Sequence, residues 1–570
     1  MRSPAAPPPL PAAVLGDAAQ CLDRLLPAAA SVTCFASRWQ TIRSRLAAVR
    51  SLLSDIADCP HWSENPLLAA LLPEILSTLR RAETLCGYCS DGSAVARGKL
   101  LMQSDLDMAA GWLARQINDL ELLLRSGVLH QSTAIVLSRP DTDSSKEETA
   151  FFVRDLFTRL QIGGPEFKRK ALESLIQLLS EDGRSASAAA VVSRESGVSR
   201  LISLLDSNRR DSITELAVAA LSLLISAGDL PRRCAFEEGA LGPLLRLIES
   251  GSMPIKEKSA MAVESITSDP DHAWAISAYG GVQTLIELCK SGSLSAQSHA
   301  IGAIKNISTV KDIRMALAEE GAIPILMQLL FSGSPSIQEK AAHCISIFAS
   351  TSDFFRNLLL QEKALQKLLQ LFHDCSNSGT FEHVLRAIYS LSISDACYRT
   401  LSCSTPFILQ LSELVNHKNV MIQHISSSLL ANLAISDGNK RAISGCMSSL
   451  VKLMECVKPD GMQEVGAKAL VSLLSVKSNG KEFVRDEKSL TRIVRMLDPS
   501  NEVVSKKFPV AVVAAILAGG SRSCRRRLIE AGSQGHLQRL AELEVAGAKK
   551  ALQRLSTNKL TSLLSRKWRG

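Results

Sequence analysis

The sequence predicts an all-α protein in which a helical bundle precedes a solenoid of helical repeats, and three observations carry that prediction. Apolar residues recur at steps of three and four through roughly the first 130 positions, the stripe an amphipathic helix needs. Beyond them a unit of roughly forty residues repeats along the chain. Alternation of Val, Ile, Thr and aromatic residues, the mark of a strand, is missing over long stretches, and aromatic residues make up only 4% of the 570. With 46% apolar residues, 32 Gly and 21 Pro, the composition excludes a collagenous or a broadly disordered chain.

The elements follow in order. Residues 1–14 are rich in Pro and Ala and read as a disordered leader. Residues 15–130 read as a helical bundle. Trp39, Ile42, Leu46, Val49, Leu52, Leu53 and Ile56 form one stripe, and Leu68, Leu71, Leu72, Ile75, Leu79 and Ala82 form the next. Pro60 and Pro66 bracket the break between these two helices, and Leu106, Leu113, Ile117, Leu120 and Leu124 supply another. Short connections between helices of this length favour antiparallel neighbours. Residues 131–149 carry turn formers and charge without a helical period, and read as a linker in which Ser144 and Ser145 are candidate phosphorylation positions ahead of Glu147 and Glu148.

The repeat array occupies residues 150–557, as about nine units after a partial first unit that contains FKRKALESLIQLL. The segments RESGVSRLISLLDS, EEGALGPLLRLIESGS, YGGVQTLIELCKSGS and EEGAIPILMQLLFSGS align on Gly197, Gly239, Gly281 and Gly321, at steps of 42, 42 and 40. Each glycine is expected to take the left-handed conformation of the turn before the second helix of its unit. The glycine signal fades at Lys363, which stands in its place, and returns at Gly532. A third helix keeps better time. Equivalent positions are Leu223, Ser265, Asn306, Ile347, Ser390, Asn432, Ser472, Ala514 and Arg554, at steps of 42, 41, 41, 43, 42, 40, 42 and 40. Residues 558–570 read as a basic C-terminal helix or tail.

Three helices per unit at this period resemble the armadillo repeat. The resemblance implies a right-handed superhelical solenoid, because no unit can bury its apolar face alone, with the third helices lining a concave groove. The N-terminal segment LLPEILSTLRRAETLCGYCSDGSAVARGKLLMQSDLD is similar to the helical domain that precedes the repeats in plant proteins of the U-box and armadillo group. In ligases of that group the U-box lies between bundle and repeats. About twenty polar residues stand there in this chain, too few for a folded domain, so the resemblance is to a member lacking the U-box and intrinsic ligase activity is not expected.

Other chemistry fails on the residues. HExxH and GxSxG are absent, and the segment from Gly92 to Gly98 and Lys99 is one residue too long for a phosphate loop, with Leu100 where a metal-binding Ser or Thr belongs. Cys86 and Cys89 form a CxxC with no second ligand pair, and the 14 Cys lie mostly in apolar helical runs, as thiols of a reduced intracellular protein do. His343 and His383 have no acidic or Cys partners at ligand spacing and read as groove or surface residues. No cofactor, metal or small-molecule substrate is expected. The most apolar stretch, FPVAVVAAILAGG, is too short to span a bilayer, and the prolines near the N-terminus argue against a signal peptide. Cytoplasm, nucleus or both are the expected locations. Four Tyr and five Trp leave few stacking platforms, so direct nucleic-acid binding is not expected.

Charge is uneven. Of 65 basic and 56 acidic residues, residues 1–130 hold 12 of each, residues 131–520 hold 41 of each, and residues 521–570 hold 12 basic and 3 acidic. The net +9 therefore belongs to the last fifty residues, where Arg525, Arg526, Arg527, Lys549, Lys550 and Arg554 form a basic patch. That patch suits a cap on the solenoid, a localisation signal or contact with an anionic surface.

Along the expected groove, importin-like armadillo proteins carry an Asn ladder with Trp one turn earlier. Here the ladder position is Asn only at Asn306 and Asn432, and no Trp precedes any of them. The groove candidates are Glu264, Lys305, Asn306, His343, Arg386, Asn432 and Lys468, a mixed surface suited to a partner segment of mixed or modestly acidic character. Two functions stay open: a non-enzymatic scaffold that binds an extended or helical segment of partner proteins, and a substrate adaptor for a separate ubiquitin ligase.

Overall fold

The computed structural model describes residues 11–90, 99–126, 129, 146–181, 185–205, 212–332, 334–374 and 377–556. They form helices joined by turns, and no strand occurs among the described residues. Two compact units divide the chain, residues 1–284 and 285–570.

The first unit opens with four long helices, α1 (Pro11–Ser31), α2 (Ala36–Ala57), α3 (Pro66–Ser90) and α4 (Lys99–Ser126). Helix α1 packs on α3 and α2 on α4, with α1 also against α2 and α3 against α4. The predicted stripes supply the core: Trp39, Ile42, Leu46, Leu68, Leu72, Ile75, Leu79, Leu106, Leu113 and Leu120 are all fully buried. Asn65 starts α3, its Oδ1 accepting from the backbone N–H of Leu67 at 3.0 Å and Leu68 at 3.1 Å. Helix α1 begins inside the segment expected to be a disordered leader. Pro at a first helical position sacrifices no hydrogen bond, and Val14, Ala18, Leu22 and Leu25 then bury one face. Residues 1–10 lie outside the described residues.

Helix α5 (Lys146–Ile162) also begins inside a segment expected to be unstructured, the linker at 131–149. Glu147 and Glu148 occupy its first turn, where carboxylates favour a helix N-terminus. Ser144, Ser145 and the glycine-rich segment 92–98 lie outside the described residues. Helix α5 packs on α4 and on α6 (Pro165–Leu179), and its Ile162, with Phe167 of α6, touches the bundle core.

The third helices of the repeats are α7 (Ser212–Ser226) and α8 (Met253–Thr267) in the first unit. In the second they are α9 (Leu294–Ile307), α10 (Pro335–Thr351), α11 (Ser378–Leu391), α12 (Val420–Asn432), α13 (Met462–Leu474) and α14 (Lys507–Ala518). Within each unit successive third helices pack side by side, α6 to α8 and α9 to α14. Every predicted ladder position from Leu223 to Ala514 falls on its third helix. Phe372 ties neighbouring repeats of the second unit together, with ring centroids 5.2 Å from Phe381 of α11 and 5.1 Å from Phe407.

The turn register needs one correction. The left-handed residues at these turns are Ser196, Gly239, Gly280, Gly321, Lys363 and Gly532, so Gly239, Gly321, Gly532 and the substituted Lys363 stand as predicted, while in two repeats the turn lies one residue before the aligned glycine. Gly197 and Gly281 are glycines for a different reason. A Cβ on Gly197 would come within 2.6 Å of Phe157 and Val192, and one on Gly281 within 2.9 Å of Leu245.

All described cysteines are free. Cys86 and Cys89 are buried on α3, and burial alone raises the Cys289 thiol to about 12.

Candidate functional site

Packing of α11 against α10 sets the site. Asn377 opens α11, its Oδ1 accepting from Gly379 at 2.9 Å and Thr380 at 3.4 Å. With that start fixed, Phe381, Val384, Leu385 and Ile388 turn inward and are buried. Glu382, His383 and Arg386 are left half-buried on the other side. Gly379 brings the backbone close to the Glu339 carboxylate of α10, whose carboxyl carbon would lie 2.6 Å from a Cβ here and would have to move aside.

His383 stacks on His343 of α10 with centroids 4.0 Å apart and planes 11° from parallel. Arg386 donates to Glu382 Oε1 at 2.8 Å, and Glu382 Oε2 accepts from Asn419 Nδ2 at 2.9 Å. Asn419 is itself the cap of α12, its Oδ1 accepting from Met421 N at 2.8 Å. The polar groups of α11 are thereby tied to the start of the next third helix.

Both imidazoles resist protonation. The His343 pKa falls to about 4 because burial penalises the cation, and His383, Lys305 and Arg386 push the same way against Glu382. Burial also lowers His383, with Arg386 and Lys305 lowering and Glu382 and Glu339 raising it. His383 Nδ1 is covered and has no hydrogen-bond partner, so an added proton there would meet no acceptor. His424 of α12 is lowered by burial and then by Arg386.

The structure brings Lys305, His343 and Arg386 together around this stack. Asn306 is half-buried beside Lys305 on α9. Asn432 is exposed in the last turn of α12, where its carbonyl accepts from Tyr398 at 3.3 Å, and Lys468 on α13 pairs with Glu464 at 2.8 Å. Glu264 is half-buried on α8 in the first unit. Glu382 and Asn419 are not among the groove candidates, and His383 reads from the sequence only as a groove or surface residue. His383 precedes Arg386 by one turn, and a register shift of three residues between α10 and α11 puts it, rather than Arg386, over His343.

The basic patch is partly neutralised. Arg526 pairs with Glu530 at 3.4 Å, Arg527 with Glu487 at 3.4 Å and Lys549 with Glu544 at 3.7 Å. Arg554 donates to the Ala514 carbonyl at 3.4 Å, Lys550 is exposed, and Arg525 Nε is buried without a hydrogen-bond partner. The basic residues beyond 556 lie outside the described residues.

No group of three or more His, Cys, Asp or Glu side chains suited to a metal occurs among the described residues. No helix among them is long and apolar enough to cross a membrane.

Comparison with known proteins gives two family matches. Residues 16–128 match a domain of unknown function, DUF7032, and residues 153–354 match the plant U-box protein ARM repeat region. No curated protein sequence matches the chain. Among solved structures, an engineered protein from the Northeast Structural Genomics Consortium is 24% identical, with 71% of this chain and 98% of that one covered and a TM-score of 0.58. A designed armadillo repeat protein is 22% identical over 42% of this chain and 98% of its own, with a TM-score of 0.39. Another, solved in complex with the peptide (KR)4, has the same identity and coverage and a TM-score of 0.38.

Proposed function

We propose that this chain, an armadillo-repeat protein, is a non-enzymatic scaffold that holds a segment of a partner protein against the polar side of its third helices. One observation carries the reading. Lys305, His343, His383 and Arg386 converge from three successive third helices, although burial of the apolar faces does not require polar groups there. A surface so supported is largely pre-formed, and binding to it costs little reordering. With Lys305 and Arg386 facing the same space, the segment is of mixed or modestly acidic character and makes charge-assisted contacts. Cytoplasm, nucleus or both remain the proposed locations.

A photo-crosslinking residue placed at Ser390 of the full chain tests this. It should capture partner proteins, and Lys305→Glu with Arg386→Glu should abolish the capture. Equal capture by the double variant would overturn the reading.

The match of residues 153–354 to the ARM region of plant U-box proteins favours one second reading, an adaptor that brings substrates to a separate ubiquitin ligase. A ligase among the crosslinked proteins would favour the adaptor, and its absence alongside other captured partners the general scaffold.

A further inference from the structure

We propose that the stacked pair His343–His383, together with Lys305, is a proton-coupled receptor for a carboxylate side chain of an acidic partner segment. The inference rests on the scaffold reading and specifies what one stretch of its surface recognises. Two parallel rings 4.0 Å apart are stable when both are neutral, and repel when both are charged. The pair therefore holds at most one proton readily.

The groups facing the pair decide when it does so. From α9 comes the cation Lys305. From α10 comes Glu339, whose carboxylate rests at the first turn of α11. From α11 itself come Glu382 and Arg386, and Glu382 is committed to Arg386 and to Asn419 of α12. From α12, His424 lies near Arg386. Without a bound segment the balance opposes protonation, since burial and two cations act against an acid already engaged elsewhere. A carboxylate arriving between Lys305 and the rings reverses that balance. It accepts from the Lys305 ammonium and from an imidazole N–H, and its charge favours the imidazolium. No bond is made or broken except the uptake of one proton from solvent.

Binding and protonation are then linked, with a limit of about tenfold in affinity per pH unit for one proton taken up. A basic segment would meet Lys305 and Arg386 as repulsion, and a neutral one would leave the rings as they are. An acidic segment is the occupant whose charge favours the imidazolium beside Lys305.

The test uses the full chain with a fluorescein-labelled decaglutamate peptide and a decaglutamine control. Fluorescence anisotropy should show binding to decaglutamate alone, tightening about twofold or more from pH 7.5 to pH 6.0 and by less than tenfold per pH unit. With histidine labelled selectively, ten imidazole signals are countable. Two of them, assigned through His343→Gln and His383→Gln, should titrate higher by about one pH unit or more with peptide bound. Either single variant, checked by circular dichroism for a wild-type melt, should bind more weakly at pH 6.0 and lose the pH dependence. Binding to decaglutamate with both signals unmoved would overturn this inference and leave the scaffold reading standing. Binding that survives Lys305→Glu with Arg386→Glu would overturn the placement of the segment altogether.

Discussion

The bundle and the stack of third helices bury their apolar faces in opposite ways. In the bundle, four long helices close on one another around a single core that runs from Val14 to Leu129, and cross-helix polar pairs sit at its surface. Arg38 grips Asp107 at 2.8 and 3.1 Å, and Arg24 meets Glu83 at 3.1 Å. In the second unit each third helix buries itself against the next, and the polar residues left over include a half-buried imidazole stack. The difference teaches where to look for function. The bundle's ion pairs lie toward solvent, whereas the polar groups between α9 and α12 are half-buried and joined from one third helix to the next.

The sharpest way to break this contrast is to remove a ring from each region. Trp39→Ala and Phe407→Ala each delete a fully buried aromatic and should each cost about 3–5 kcal/mol in chemical denaturation. Hydrogen exchange should separate them. Loss of Trp39 should loosen all four bundle helices together, while loss of Phe407 should loosen its own unit and immediate neighbours, as nearest-neighbour stacking requires. Uniform loosening across residues 285–556 after Phe407→Ala would erase the distinction.

Glycine substitutions rank next. Gly197→Ala drives a methyl into Phe157 and Val192 and should cost about 1–3 kcal/mol. Gly239→Ala meets open space but holds a φ of 77°, so it should cost about 1–2 kcal/mol from backbone strain alone. Thermal melts of the two variants would reveal whether contact or conformation dominates in these turns.

The smallest expected effect is the most specific to the polar stretch. The His343 pKa is depressed in the folded chain, so its contribution to stability is complete above about pH 6.5 and is lost as pH falls toward about 4. Denaturant midpoints of the wild type should drop over that window, and His343→Gln should drop less. A wild-type slope retained in full by the variant would show that the imidazole is not the group responsible.

Much of the fold was legible because helical period and repeat period are properties of single residues in order. The ladder from Leu223 to Ala514 needed only the spacing of apolar positions, and Lys363 was recognisable as a glycine's replacement from its place in the count. The start of α5 was hidden, because charged residues at 146–148 resemble a linker until their position in a first turn is known. The turn register failed at Gly197 and Gly281, where two different needs for glycine, an open φ and a missing Cβ, look identical in a sequence. The candidate site was half legible. Lys305, His343 and Arg386 followed from the ladder, but the partner of His343 depends on how far α11 slides along α10, and no periodicity specifies that to within one turn.

The central claim is that partner recognition belongs to the polar side of α9–α11 and not to the bundle. The most direct measurement is the affinity of the full chain for a crosslinked partner's own segment, compared between two charge reversals. Lys305→Glu with Arg386→Glu should weaken binding more than tenfold, and Arg24→Glu with Arg38→Glu on the bundle should leave it unchanged. Equal loss from both pairs, or loss from the bundle pair alone, would contradict the account.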